Sequence, residues 1–110
     1  TCALPILDVQ KRKFCVANKT GGLSGSAIKP IALRMVYQVC HAVKIPVIGM
    51  GGIATINDVL EFIMAGATGI AIGTANFNNP FVMPEIISEL SKYMEENNIE
   101  TLDEIRGIVG

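Results

Sequence analysis

The sequence predicts an α/β fold with a parallel sheet, made of about three βα units. Three observations predict it. Residues 46–50 and 69–73 are short apolar runs without alternation, as expected of parallel strands covered on both faces. Helical patterns follow both runs, and alternating strands and helices give a parallel sheet. Three glycine-rich loops follow predicted strands, at the end where α/β folds bind ligands.

In chain order, residues 14–17 read as a short apolar strand behind the polar turn Gln10-Lys11-Arg12-Lys13. Residues 6–9 are placed to pair with it as a hairpin. Residues 18–26 read as a Gly/Ser loop. Ile28, Ile31, Ala32, Met35, Val36, Val39, Cys40 and Val43 then repeat at helical spacing, with Pro30 acceptable in the first turn. After the strand at 46–50, Thr55 is a good N-cap with Asp58 three residues on, near the positive end of the helix dipole. Gly66 closes that helix. After the strand at 69–73, Asn78-Asn79-Pro80 is a loop entering a short helical turn. A longer helix spans 85–96, with Ile86, Ile87, Leu90 and Met94 on its apolar face. Thr101-Leu102-Asp103-Glu104 reads as a capping box opening a last helix.

Half of the 110 residues are hydrophobic and 17% are charged, which supports a buried core and excludes disorder. The net charge of -1, with no basic stripe, argues against nucleic acid. The longest weakly polar stretch, 45–53, is interrupted by Pro46 and glycines, and a bilayer needs about 20 apolar residues. Residues 1–5 lack the basic region and apolar core of a signal peptide. The missing initiator Met points to processing or excision from something longer. Cys2, Cys15 and Cys40 are odd in number and lack CxxC spacing, so neither a disulfide framework nor a metal site is indicated. A reducing, cytoplasmic setting is expected.

The three loops are Gly21-Gly22-Leu23-Ser24-Gly25, Gly49-Met50-Gly51-Gly52 and Gly73-Thr74-Ala75. Glycine lets a backbone approach a ligand and take positive φ. N–H groups at a helix N-terminus then receive an anion such as phosphate. Tight turns alone account for any one of these loops. Two successive βα units ending in Gly-Gly and Gly-Thr, residues 45–75, fit the phosphate site that (β/α)₈ barrels form after their last two strands.

Four segments together carry a resemblance: Asn18-Lys19-Thr20-Gly21-Gly22-Leu23-Ser24-Gly25, Ala27-Ile28-Lys29-Pro30, Ile45-Pro46-Val47-Ile48-Gly49-Met50-Gly51-Gly52-Ile53, and Ala65-Gly66-Ala67 through Gly73-Thr74-Ala75-Asn76-Phe77. The sequence resembles class 1 dihydroorotate dehydrogenase, most closely its NAD-linked 1B branch, over nearly the whole chain. The resemblance implies that residues 1–110 are the C-terminal part of an FMN-binding (β/α)₈ TIM barrel that oxidises dihydroorotate to orotate in pyrimidine synthesis. It places Gly25, Gly51, Gly52, Gly73 and Thr74 at positions that contact FMN, mainly its phosphate and ribityl chain. It places Thr1 on a substrate-holding position. It also implies a partner subunit carrying FAD and an iron–sulfur cluster. Ser26 stands where the family usually has Pro, and residues 2–6 depart from the pattern. The family's catalytic cysteine, flavin lysine and substrate asparagines belong to barrel strands absent from these 110 residues, since a full barrel takes about 250. No catalytic residue is therefore assigned.

Other residues have blander readings. His41, late in its helix, has no carboxylate or cysteine at helical spacing to make a general acid. Cys15 and Cys40 read as core residues, and Lys29 and Arg34 as a solvated helix face within reach of an anion. Two alternatives to a flavoenzyme segment are a phosphate-binding half-barrel without redox activity and a purely structural fragment. Because the missing strands leave a sheet edge and an inner face open, either self-association or the remainder of a barrel is expected.

Overall fold

The computed structural model describes residues 3–110. Ala3–Pro5 (β1), Leu7–Asp8 (β2), Lys13–Phe14 (β3) and Thr20–Gly22 (β4) form a two-tiered antiparallel hairpin. Leu7 pairs with Phe14 and Asp8 with Lys13, while Leu4 pairs with Gly21. The Asp8 carboxylate accepts from the Lys11 N–H at 2.9 Å, and Arg12 takes a φ of 51°, which turns the chain. The predicted hairpin is present, but its returning strand is Lys13–Phe14 instead of 14–17. The predicted loop over 18–26 contains a strand. Backbone pairing needs no side chain, and Gly21 supplies the space: a Cβ there would lie 2.8 Å from Ile6 Cδ1.

Ser26–Ile28 is a turn of 3₁₀ helix leading into Lys29–Ala42 (α1), with Pro30 in its first turn. Ile48–Met50 (β5), Ile56–Ala65 (α2) and Gly69–Ala71 (β6) follow as strand, helix and strand. β5 and β6 pair in parallel, Ile48 with Gly69 and Met50 with Ala71. Gly66 ends α2 at φ 120°, packed on Cys40 of α1. Ala75–Asn78 (α3) and Val82–Glu96 (α4) complete the helices.

Phe62 has no exposed surface and centres a core with Val36, Val59, Ile63, Val82, Ile86 and Ile105. Val47, Ile70 and Ile72 pack against that core from the strand side. Gly49 is buried, and a Cβ on it would lie 2.6 Å from the Phe62 ring. The strand thus lies directly on the helix.

Five expectations need correction. The parallel sheet has two strands among the described residues instead of about three, because the hairpin strands pair only with each other; it is open, as expected of an incomplete barrel. The first glycine loop therefore follows an antiparallel strand. The strands are covered on one face only: Ile48 and Met50, flanking buried Gly49, are 69% and 67% exposed. The helix placed at 85–96 begins at Val82, since Pro84 falls in its first turn, where a missing N–H costs nothing. The last helix is only the 3₁₀ turn Leu102–Glu104, and its capping box does not form. The Glu104 carboxylate instead accepts from the Glu100 N–H at 3.2 Å. Arg106 and Gly107 then tie the tail to the core, donating to the Ala67 and Ile63 carbonyls at 3.1 Å each.

Candidate functional site

Two of the glycine loops are joined by direct contact. Gly51 and Gly52 take φ of 125° and 70°, a region open to glycine at little cost. A Cβ on Gly52 would lie 2.7 Å from the Lys29 backbone nitrogen and 2.9 Å from the Gly25 carbonyl oxygen. The loop after β5 is therefore pressed against the start of α1. Gly25, at φ 97°, faces open space, with nothing within 4 Å of an added Cβ. The third loop, Gly73-Thr74-Ala75, leaves β6 at the same end, because the parallel register carries both chains out together. Gly73 and Thr74 are exposed, and nothing lies within 4 Å of an added Cβ at Gly73. The Asn76 side chain steadies this loop, donating to the Ile72 and Gly73 carbonyls at 2.8 and 3.1 Å. Thr74 precedes α3 with its hydroxyl not engaged as a cap.

The structure thus brings Gly25, Gly51 and Gly52 together and sets Gly73 and Thr74 at the same end of the sheet. Thr1 lies outside the described residues. No Asp or Glu occurs in residues 21–28, 49–54 or 72–77, so the loop residues themselves carry no negative charge. A separate cleft of about 220 Å³ runs between Thr55, Ala75, Asn79 and α4. Glu85 and Glu89 line it, which makes it a poor phosphate site.

Sequence reasoning missed one ion network. Thr55 and Asp58 do form the capping box, but the Asp58 carboxylate does more than meet the dipole. Its Oδ2 accepts from the Ala54 and Thr55 N–H groups, both at 3.0 Å, and its Oδ1 accepts from Lys29 Nζ at 2.7 Å. Lys29 also meets Glu61, at 3.2 Å. Lys29 is therefore an ion-pair partner between α1 and α2 instead of part of a solvated face. The 29 residues separating it from Asp58 leave no trace in sequence spacing.

Burial alone would raise the Asp58 carboxyl. The hydrogen bonds from Lys29, from the Ala54 and Thr55 backbone and from the Thr55 side chain outweigh it and hold Asp58 below its ordinary value. A carboxyl depressed on folding stabilises the fold above its unfolded pKa, about 3.9. That contribution disappears as pH falls through the folded value. Apoprotein melting followed from pH 6 downward is expected to show a steeper acid decline for the wild type than for Asp58→Asn. Superimposable acid limbs would contradict this network. Hydrogen bonds to Asp58 and Glu61 raise the Lys29 ammonium, so its share is present below the unfolded value and fades only in strong alkali.

The single histidine is engaged elsewhere. His41 Nδ1 lies 2.7 Å from the Tyr37 carbonyl and its Nε2 3.3 Å from the Gly110 carbonyl, at the far end of α1. Cys15 and Cys40 are free thiols, and burial pushes the Cys40 thiol up. Among the described residues no group of His, Cys, Asp or Glu is placed to hold a metal ion, and no helix is long and apolar enough to cross a membrane.

Glycine loops gathered at the carboxyl end of a parallel pair are the ligand-binding arrangement of α/β proteins. Comparison with known proteins narrows this class. The family model for dihydroorotate dehydrogenase matches residues 1–94, and the chain belongs to that family. It is 55% identical over 103 residues to the dihydroorotate dehydrogenase B (NAD(+)) catalytic subunit of Lachnoclostridium phytofermentans, covering 94% of this chain and 34% of that protein. It is 58% identical over 101 residues to the catalytic subunit of the same name from Halalkalibacterium halodurans, covering 92% and 33%. The chain thus spans about a third of the length of the curated relatives it matches. Its fold is similar to that of the Eimeria tenella DHODH crystallised with ferulenol, with a TM-score of 0.74 at 24% identity, over 96% of this chain and 29% of that one.

Proposed function

We propose that this chain is the C-terminal third of the catalytic subunit of an NAD-linked dihydroorotate dehydrogenase, and that it supplies the phosphate-binding end of an FMN site. One observation carries the reading: Gly25, Gly51 and Gly52 pack together at the strand end shared with Gly73 and Thr74, in loops whose own residues carry no carboxylate. FMN in the complete protein supplies the electron acceptor for oxidation of dihydroorotate to orotate. The residues of this chain hold its phosphate and ribityl chain. N–H groups of the loops over residues 45–75 and the Thr74 hydroxyl receive the anion, with Gly25 completing the wall beside Gly52. Thr1 touches the substrate by resemblance.

The bare face of β5 and β6, with Ile48 and Met50 exposed, supports a place in a (β/α)₈ barrel whose other strands cover it. The relatives' description as a catalytic subunit supports a partner subunit, which the resemblance equips with FAD and an iron–sulfur cluster. The free thiols of Cys15 and Cys40 fit the reducing cytoplasm.

The test is the flavin of the complete polypeptide. The protein purified from its host is expected to show flavin absorbance, to release FMN on denaturation and to form orotate from dihydroorotate. Inorganic phosphate bound with no flavin would instead favour a half-barrel without redox activity. Failure to bind either would leave a structural segment.

A further inference from the structure

The ion network around Lys29 closes a ring about the Gly51-Gly52 loop. Lys29 touches the loop at one end through its backbone, whose nitrogen would be 2.7 Å from a Cβ on Gly52. At its other end, Lys29 Nζ lies 2.7 Å from Asp58 Oδ1. The same carboxylate binds the Ala54 and Thr55 N–H groups, which follow the loop directly. One end of the segment from Gly52 to Thr55 therefore packs on the Lys29 backbone, and the other is held by the Asp58 side chain, which Lys29 Nζ binds in turn. Asp58 is only 9% exposed, so the contact is sheltered and well defined.

The network has an electrostatic side. Asp58 occupies two N–H groups at the start of α2 that would otherwise be open to an anion. Its negative charge beside a phosphate site would repel the ligand, and Lys29 neutralises it. Glu61, at 3.2 Å from the same ammonium, adds a second tether on the solvent side.

We propose that Lys29 is a positioning residue for the flavin phosphate: paired with Asp58, it clamps the Gly51-Gly52 loop against Gly25 and cancels the carboxylate charge behind it. Lys29 does not touch the ligand. The inference rests on the FMN reading of this site and adds to it the residue pair that shapes the loop.

The test compares FMN with riboflavin, which lacks the phosphate, on the complete apoprotein, by quenching of flavin fluorescence. Wild type is expected to bind FMN well ahead of riboflavin. Lys29→Met should weaken FMN on the order of tenfold, the scale seen when an orienting partner behind a ligand-holding group is lost, and leave riboflavin unchanged. Lys29→Arg, which keeps the charge, should recover most of the FMN affinity. Leu60→Ala, a core change on α2, reports loss of stability alone and should shift both flavins alike or neither. If Lys29→Met does not fold, Glu61→Gln loosens the same ammonium from the exposed side and should lower FMN affinity selectively by a few fold. An equal shift for both flavins, or none for FMN, overturns the clamp while the FMN site stands. A wild type that does not prefer FMN to riboflavin removes the phosphate site, and the clamp with it.

Discussion

Replacing Gly52 with valine in the complete protein is expected to abolish flavin binding. Two independent obstacles act together. The residue sits at φ 70°, where a β-branched side chain is strained. Its Cβ would also meet the Lys29 nitrogen at 2.7 Å and the Gly25 oxygen at 2.9 Å. Both are backbone atoms and cannot rotate away, so the loop must leave its place. Two or three N–H bonds to a charged group contribute about 1.5–3 kcal/mol each, so losing the set lowers affinity by about a hundredfold or more. Equilibrium dialysis against FMN, with circular dichroism to confirm folding, reads the outcome. A folded variant with wild-type affinity would refute the site.

The second large effect concerns chemistry. These 110 residues expressed alone are expected to form no orotate from dihydroorotate, even with FMN added. Among the described residues the carboxylate next to these loops, Asp58, is already engaged by Lys29 and by the Ala54 and Thr55 N–H groups. His41 is held between Tyr37 and Gly110. The Cys40 thiol is pushed up by burial, which disfavours the thiolate, and Cys15 is on the hairpin beyond β3. Loss of a general base alone costs roughly 10²–10⁴ in rate, and most substrate contacts are lacking too. Orotate formed by the isolated segment, followed by its ultraviolet absorbance, would show that a working base had been overlooked.

What could be read from the sequence was what depends on neighbours along the chain. The helix over Lys29–Ala42 was visible through its apolar spacing, and the capping box at Thr55 and Asp58 through a three-residue interval. The parallel strands were visible as apolar runs ending in glycine. The strand Thr20–Gly22 was not, because two glycines and a threonine carry no strand pattern; its partner, Ala3–Pro5, is 15 or more positions away. The failed box at Thr101 has the right residue types, but the tail is drawn back onto the core through Arg106 and Gly107, and that pull is invisible locally. At the site, the glycines were legible as types. That Gly52 faces Lys29 and Gly25, and that Lys29 neutralises Asp58, depends on how two helices meet. Apolar runs likewise announced buried strands without saying that only one face would be covered within this chain.

The contact between Gly49 and Phe62 constrains how the sequence can drift over evolutionary time. With 2.6 Å between the ring and an added Cβ, alanine at 49 is admissible only beside a smaller residue at 62. A smaller residue at 62 arising first would leave a void, at about 3–5 kcal/mol for loss of the whole ring. Either single step passes through a less stable intermediate, and the paired change offsets part of that loss. Positions 49 and 62 therefore form a linked pair in which substitutions are expected to arrive jointly, so that the lineage of one position records the history of the other.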